Sequence, residues 1–343
     1  MTITNSAPPS MNALNALLFA PYPSFALMAA CQLDVFTPLN DSVLTAEELA
    51  ETLHVGVAKL RPLLYALVAA KLLTVNHERF ANTEESSYYL VKGQPAYTGR
   101  RLDVAAKAWS SMMKTAESIR TGAGLAHDEF DYTRLPPEQL EVLLRGFHAP
   151  ALAVGRMLAE RFDFSLRRSV IDVGGGSGGT AIALLEKYPH LRATVFEQSN
   201  VAPVTQRLVA ESSVADRVSV LAADAVRDAL PGGFDGAILS AVIQTMSADE
   251  AQQLLHNVAH ALNPQGELYI IGAVLDDSRL TPAEIATLNL LLINVYVAGQ
   301  AYTESEYRTW LTEAGFEGIQ REILPDWRSL ISARKQTMQR ART

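Results

Sequence analysis

Cysteine is nearly missing from this chain: Cys31 is the single one in 343 residues. A disulfide framework within one chain is thereby excluded, and a reducing compartment is expected. Cys31 lies in an apolar stretch and reads as core. Positive charge is also short. Lys and Arg total 29 against 37 Asp and Glu, a formal net charge of -8, which argues against a nucleic-acid partner or an acidic membrane surface. Charged residues are 19% of the chain and hydrophobic ones 48%. That is the balance of a globular protein with ample core, and the length predicts about two domains. No signal peptide is apparent, because the first ten residues are polar and uncharged with two prolines. The longest apolar run, read as Leu288 to Ala298, is interrupted by Asn289 and Asn294 and is too short to span a bilayer. These absences predict a soluble, cytoplasmic protein with no membrane partner.

What is present centres on Ser169-Val-Ile-Asp172-Val-Gly174-Gly175-Gly176-Ser177-Gly178-Gly179-Thr180. The apolar residues Val170, Ile171 and Val173 predict a buried parallel strand, the glycines a turn, and the residues from Thr180 a helix. Glycine allows φ > 0 in such a turn and brings backbone close to a ligand without a Cβ in the way. A helix N-terminus behind it offers free N–H groups and a positive dipole end. Two patterns overlap here. Gly174-x-Gly176-x-x-Gly179, with Glu197 at the distance of a ribose-hydroxyl acceptor, fits a dinucleotide fingerprint. Gly175-x-Ser177-x-Gly179 fits a nucleophile elbow. A serine hydrolase would also need a His late in the chain, and none follows His260.

The chain before this turn is helical. Residues 1 to 10 read as disordered, and Asn12 to Leu33 as two apolar helical pieces divided by Pro21 and Pro23. Thr45 to Glu48 is a capping box. A helix follows with Leu60, Leu63, Leu64, Leu67, Val68 and Leu72 at helical spacing, and then a small hairpin around Asn76-His77-Glu78. Helices followed by a two-stranded wing describe a winged-helix module. A DNA-reading helix should present a basic face, yet only Lys59, Arg61 and Lys71 stand among leucines and alanines. So much apolar surface predicts dimerisation instead. Residues 1–105 are thus expected to be a dimerisation domain and 106–343 a nucleotide-binding domain, with 106–160 as connecting helices that could close over a substrate. In that segment Trp109, Met112 and Met113 form one expected apolar cluster, and Phe147 to Met157 another.

After the turn, strands are expected at Ala193 to Phe196, Arg217 to Leu221, Phe234 to Leu239 and Glu267 to Ile271. Helices alternate with them at βαβ spacing, so the sheet should be mostly parallel and wound on both faces. Thr303 to Glu306 is a second capping box. Gly318 to Leu324 and Ser329 to Ala333 leave no room for a crossover helix and should pair antiparallel.

With the winged-helix start, Asp172-Val-Gly-Gly-Gly-Ser-Gly178, Glu197, Asp224 and the antiparallel sheet end in hand, the chain resembles the S-adenosylmethionine-dependent small-molecule O-methyltransferases. These are the two-domain type of plant caffeate and bacterial polyketide O-methyltransferases, and the resemblance covers nearly the whole chain. It implies an α/β Rossmann-like methyltransferase domain, S-adenosyl-L-methionine as cofactor, a small-molecule substrate, and a homodimer formed through the N-terminal domain. It also implies that Gly174 and Gly176 approach the methionine part of the cofactor, that Glu197 accepts hydrogen bonds from the ribose, and that Asp224 lies by the adenine with Ala225 beside it. Ser240 stands where such proteins usually carry a Lys or Arg that contacts the cofactor.

The family's catalytic His, just after the fourth strand, is replaced by Gln244, and a neutral amide cannot act as a general base. The Glu that would orient that His is replaced by Ala301. A general base contributes about 10²–10⁴-fold, whereas alignment of two reactants contributes about 7–11 kcal/mol by itself. An aromatic nitrogen, an activated ring carbon or an acidic phenol could thus be methylated without a base, with Gln244 orienting the acceptor. Phenazine N-methyltransferases resemble this sequence in lacking the His. The alternative is a protein of this fold that keeps the cofactor and catalyses a non-methylating reaction of hydroxylation, decarboxylation or pericyclic type. His148, in the helix leading to the cofactor domain, is a candidate replacement base. His256 and His260 are four apart on one helix, but Asn257 stands where a zinc protease needs Glu and the buried stripe is Leu254, Leu255 and Val258. They are expected to face solvent, as is the His127 to Asp131 cluster, and no metal is expected.

Overall fold

The computed structural model describes residues 10–94, 96–99, 101–125, 132 and 134–337. The segment read as disordered, up to residue 9, and the His127 to Asp131 cluster lie outside them. The chain divides into two compact units, Met1–Ala106 and Lys107–Thr343.

The first unit opens with helices α1 (Asn12–Phe19) and α2 (Tyr22–Leu33). They part at Pro21, the N-cap of α2, and Pro23 sits in that helix's first turn, where a missing N–H costs nothing. No residue of α1 is buried, and Leu17 is 72% exposed. The 22 residues from Asn12 to Leu33, with a mean hydropathy of 1.4, are long and apolar enough to cross a membrane. This corrects the reading of Leu288 to Ala298 as the longest apolar stretch. Isolated Asn, Ser and Pro residues interrupt the earlier stretch without lowering its mean hydropathy far.

A short strand β1 (Leu44–Thr45) leads into α3 (Ala46–Leu53). The capping box that opens α3 is complete: Thr45 Oγ1 accepts the Glu48 N–H at 3.2 Å, and the Glu48 carboxylate accepts the Thr45 N–H at 2.7 Å. Next come α4 (Val57–Ala69) and a hairpin of β2 (Leu73–Asn76) and β3 (Arg79–Asn82), with β1 paired antiparallel on the far edge of β3. His77 and Glu78 both have positive φ, the twist that a two-residue hairpin turn needs. Leu49, Leu60, Leu64, Leu67, Leu73 and Phe80 fill the core of this winged-helix unit. After α5 (Glu84–Tyr89), helix α6 (Arg101–Met112) carries the boundary between the units. Met113 is 88% exposed and not part of an apolar cluster with Trp109 and Met112. It falls in the turn after α6, where the helical register that would have faced it inward is lost.

The second unit begins with α7 (Thr115–Thr121) and α8 (Pro137–Arg161). It continues through β4 (Ser169–Val173), α9 (Gly179–Lys187), β5 (Arg192–Glu197), α10 (Ala202–Ala210), β6 (Val218–Ala222) and β7 (Phe234–Ser240). Then follow α11 (Ala248–Ala261), β8 (Leu262–Gly272), β9 (Val274–Leu275), α12 (Ala283–Val295), β10 (Tyr302–Thr303), α13 (Glu304–Glu313), β11 (Phe316–Ile323) and β12 (Ser329–Lys335). The main sheet runs β11-β12-β8-β7-β4-β5-β6. Its strands β8 to β6 are parallel, whereas β12 is antiparallel to both β8 and β11.

Alternation along β4 sends Val170 into one core and Ile171 and Val173 into the other, so the sheet is covered on both faces. A feature without a strong sequence signal is the parallel pair β9–β10. It lays Tyr302 and Thr303 alongside Val274 and Leu275, just past the end of β8.

Candidate cofactor and acceptor site

Strand order reverses between β4 and β7, and in open α/β sheets ligands bind beyond the carboxyl ends of the strands at such a point. The glycine turn leaves β4 there. Gly174, Gly176 and Gly178 have φ of +67°, +57° and +74°, a region where an L side chain is strained. Their surroundings differ. A Cβ on Gly174 would lie 2.6 Å from Val242 Cγ2, and one on Gly178 would lie 2.8 Å from Val209 Cγ2. A Cβ on Gly176 would make one ordinary contact, with Leu144 Cδ2 at 3.7 Å. Of these three glycines Gly176 is therefore the least crowded, and Thr205 Oγ1 steadies it by donating to its carbonyl at 2.6 Å. Helix α8 presses on the same turn. Cβ atoms at Gly155 and Gly179 would meet Thr180 O at 2.4 Å and His148 O at 2.9 Å. Ser177 is buried and its Oγ accepts the Gly179 N–H at 3.4 Å, which removes the exposed nucleophile that an elbow requires.

Glu197 ends β5 beside Gly176. One carboxylate oxygen accepts the Gly176 N–H at 2.7 Å and the other the Gln198 N–H at 3.0 Å. Burial raises its pKa against those two N–H groups. A carboxylate offers about four acceptor positions, so two remain for hydroxyls.

Asp172, at 0% exposure, lies behind the turn, and its carboxyl would touch a Cβ on Gly175 at 2.7 Å. Burial, then the charge of Glu197, pushes Asp172 up to about 7. The Ala181 N–H draws it down without reaching hydrogen-bonding geometry. Sequence reasoning passed over Asp172, although an Asp inside an apolar strand next to glycines was the available signal.

Asp224 lies two residues past β6, where Ala223 N–H bonds to the Glu197 carbonyl. Its Oδ1 accepts the N–H groups of Val226 and Arg227 at 2.9 and 3.3 Å, so half of its carboxylate shapes its own turn. Ala225 is fixed by Asn257, whose amide donates to its carbonyl at 2.9 Å. Ser240 is the last residue of β7, opposite Ile271.

Gln244 lies in a single 3-10 turn, Ile243–Thr245. Its Oε1 accepts the Ala273 N–H at 2.7 Å and would sit 2.9 Å from a Cβ on Gly272. A backbone N–H can only donate, so the side-chain oxygen must face Ala273 and the NH₂ must point away. Ala301 is fully buried in a small apolar cluster with Ala273, and its N–H donates to Asn289 Oδ1 at 2.8 Å. The fold thus brings Gln244 and Ala301 together at Ala273.

His148 is not brought to them. Its charged neighbours are Arg145, Glu211 and Glu186, and burial first, then Arg145, lowers its pKa. Of the other histidine pair, His260 is exposed and turns Nδ1 to the His256 carbonyl at 2.8 Å, while His256 is half-buried.

Residues 116–317 match the O-methyltransferase domain, and residues 16–92 match the O-methyltransferase dimerisation domain. The chain belongs to the O-methyltransferase family. It is an S-adenosylmethionine-dependent methyltransferase. It is 29% identical over 296 residues to the 3-hydroxy-5-methyl-1-naphthoate 3-O-methyltransferase of Streptomyces sahachiroi, covering 84% of each chain. It is likewise 29% identical over 342 residues to the N,N-dimethyltransferase OxyT of Streptomyces rimosus, covering 95% of this chain and 98% of that one. Human N-acetylserotonin methyltransferase in complex with S-adenosylmethionine superposes with a TM-score of 0.83 at 25% identity, over 98% of this chain and all of the other. The turn fits such a cofactor. Gly176 leaves a cradle that a Cβ would narrow, and Glu197 keeps free lone pairs beside it.

Proposed function

We propose that this methyltransferase acts on a small aromatic intermediate whose nucleophile needs no proton removed by the protein: a nitrogen, an activated ring carbon or an acidic hydroxyl. The observation that carries this reading is the pairing of Gln244 Oε1 with the Ala273 N–H, beside a buried Ala301. Neither position offers a proton acceptor that could serve as a base at neutral pH. S-Adenosylmethionine supplies an electrophilic methyl on a sulfonium. The chain's part is to hold and align. Gly174 and Gly176 would receive the methionine portion, Glu197 the ribose hydroxyls, Asp224 and Ala225 the adenine, and Ser240 would stand at the edge without the usual cation. That relatives of equal identity carry O- and N-methyltransferase names supports leaving the acceptor atom open.

The test is incubation with S-adenosylmethionine and a panel of phenols, anilines, nitrogen heterocycles and electron-rich arenes, read by mass spectrometry. Methylation of acidic phenols or nitrogen acceptors without equal activity on weakly acidic alcohols is expected. Alcohol acceptors preferred throughout would sink the base-free reading. Gln244→Ala should keep turnover within about tenfold, well short of the loss of a general base. It should lower thermal stability, because the Ala273 N–H loses its partner at a cost of about 1–3 kcal/mol. Gln244→Glu, which keeps an oxygen for that N–H, should restore stability.

The dimerisation domain is proposed to pair with a second copy through α1 and α2, whose Leu14, Leu17, Leu18, Phe19 and Tyr22 are exposed. Burying each such side chain contributes about 1.5–3 kcal/mol. Leu17→Asp combined with Leu18→Asp should convert a dimer into a monomer in sedimentation, and an unchanged sedimentation coefficient would place the interface elsewhere.

A further inference from the structure

From Leu288 to Val295, helix α12 is apolar except for Asn289 and Asn294. Five residues apart, they point about 140° from one another around the helix. Asn289 turns to the cluster of Ala273, Leu292 and Ala301, where its Oδ1 accepts the Ala301 N–H at 2.8 Å. Asn294, at 0% exposure, turns to α7. Its Oδ1 accepts the Ser118 hydroxyl at 2.5 Å, and its Nδ2 donates to Thr115 Oγ1 at 2.8 Å and to the Leu290 carbonyl at 2.7 Å. Thr115 gives its own proton to the Met112 carbonyl, at the end of α6. It must therefore accept from Asn294, which leaves the amide one orientation. A buried amide is costly unless it is bonded. With these bonds made, it fixes one seating of α12 on α7, which apolar packing by size alone would not specify. The chain carries that seating on to Gln244. A Cβ on Gly124, just past α7, would lie 2.7 Å from the Tyr296 carbonyl oxygen and 3.2 Å from that of Asn294. A Cβ on Gly299 would lie 2.7 Å from Tyr296 Cβ and equally 2.7 Å from the Gln244 carbonyl oxygen. Tyr296 thus touches the segment after α7 on one side and Gly299 on the other, and Gly299 rests on Gln244.

We propose that Asn294 is a positioning residue of the acceptor side: by bonding α12 to α7 it sets where Gln244 and Ala301 stand, and with them the shape offered to the acceptor. One line of contacts runs from Ser118 through Asn294, Tyr296 and Gly299 to Gln244, and Asn289 makes a second link from the same helix to Ala301. The cofactor turn is braced from elsewhere, Gly176 by Thr205 of α10 and Gly179 by the His148 carbonyl of α8. Acceptor binding should therefore depend on the Asn294 joint, and cofactor binding should not. The inference rests on the reading above that places the acceptor beside Gln244 and Ala301, and it adds a determinant of fit that lies fully buried behind them.

The test variant is Ser118→Ala combined with Asn294→Leu in the full chain. It replaces both polar partners by apolar groups of similar size, a change that is nearly neutral for stability, while deleting the bonds that set the seating. Ser118→Ala alone, which only removes the hydroxyl from Asn294 Oδ1, is the second variant. With S-adenosylhomocysteine bound, hydrogen–deuterium exchange of the amides at 296–303 should speed up about tenfold in both, and that of the glycine turn at 174–179 should stay as in the native protein. For the panel phenol or amine that is methylated best, KM should rise about tenfold with kcat held within about threefold, the pattern of a lost binding fit and not of lost chemistry. The S-adenosylhomocysteine dissociation constant, read by calorimetry, should stay within about twofold. Native exchange at 296–303 in both variants, or cofactor affinity falling as far as that of the acceptor, would overturn the assignment. Exchange needs no acceptor, so it decides this inference by itself. A panel with no methylated compound counts against the base-free reading alone.

Discussion

Replacing Asp172 with Asn should abolish a fall in stability that the native protein shows between about pH 4 and pH 7. The folded-state pKa of Asp172 is raised from 3.8 to about 7, first by burial and then by Glu197. Within that window the folded chain keeps a proton that the unfolded chain has already released. Stability then falls as pH rises, by about 1.4 kcal/mol for each pH unit, and levels off once the folded carboxyl also ionises. Over the whole window the loss is on the order of 4 kcal/mol. Glu197 is shifted in the same direction, so the two carboxyls titrate as a pair and the midpoint belongs to both.

Asn has nearly the shape of a protonated Asp, so it keeps the contact with Gly175 while removing the charge. Urea unfolding at pH 5 and pH 8 measures the effect. The native protein should lose stability between the two, and Asp172→Asn should change little. An equal slope in both proteins would show that Asp172 is not the group responsible.

Glu197→Ala should raise the dissociation constant for S-adenosylmethionine at least tenfold and toward a hundredfold. The carboxylate fixes Gly176, where an added Cβ would meet only Leu144 Cδ2 at 3.7 Å, and keeps two acceptor positions that the proposed function gives to the ribose hydroxyls. Hydrogen bonds to a charged group contribute about 1.5–3 kcal/mol each. Titration calorimetry reads the affinity directly. The same substitution removes the charge that repels Asp172, which at pH 8 offsets part of the cost of leaving the Gly176 and Gln198 N–H groups without their acceptor. A fall in affinity much larger than the fall in unliganded stability separates loss of a ligand contact from general damage. An unchanged dissociation constant would remove Glu197 from the cofactor site.

Much of the fold was legible because local chemistry repeats it. The Thr45–Glu48 and Thr303–Glu306 capping boxes mark helix starts that side-chain to backbone bonds enforce. Asn76 to Arg79 closes its hairpin as its polar turn residues predict, and the last two strands pair antiparallel because no crossover fits between them. Met113 was misread because its side chain lies one residue beyond the helix that set the expected periodicity. The apolar length of Asn12 to Leu33 was underread because scattered polar residues hide it from a search for unbroken runs.

The sequence by itself determined the order of elements and the left-handed glycines after β4. Each of these follows from residue type and near neighbours. The tertiary structure alone decided how those positions are used. Gly176 and not Gly174 has room beside it because Val242, more than sixty residues later, crowds the other. Gln244 is a clamp on Ala273 because β7 and β8 lie side by side. Ala301 joins one cluster with Ala273 because β10 pairs with β9. These contacts join residues far apart in the chain, and the backbone hydrogen bonds that bring them together leave no local pattern to read.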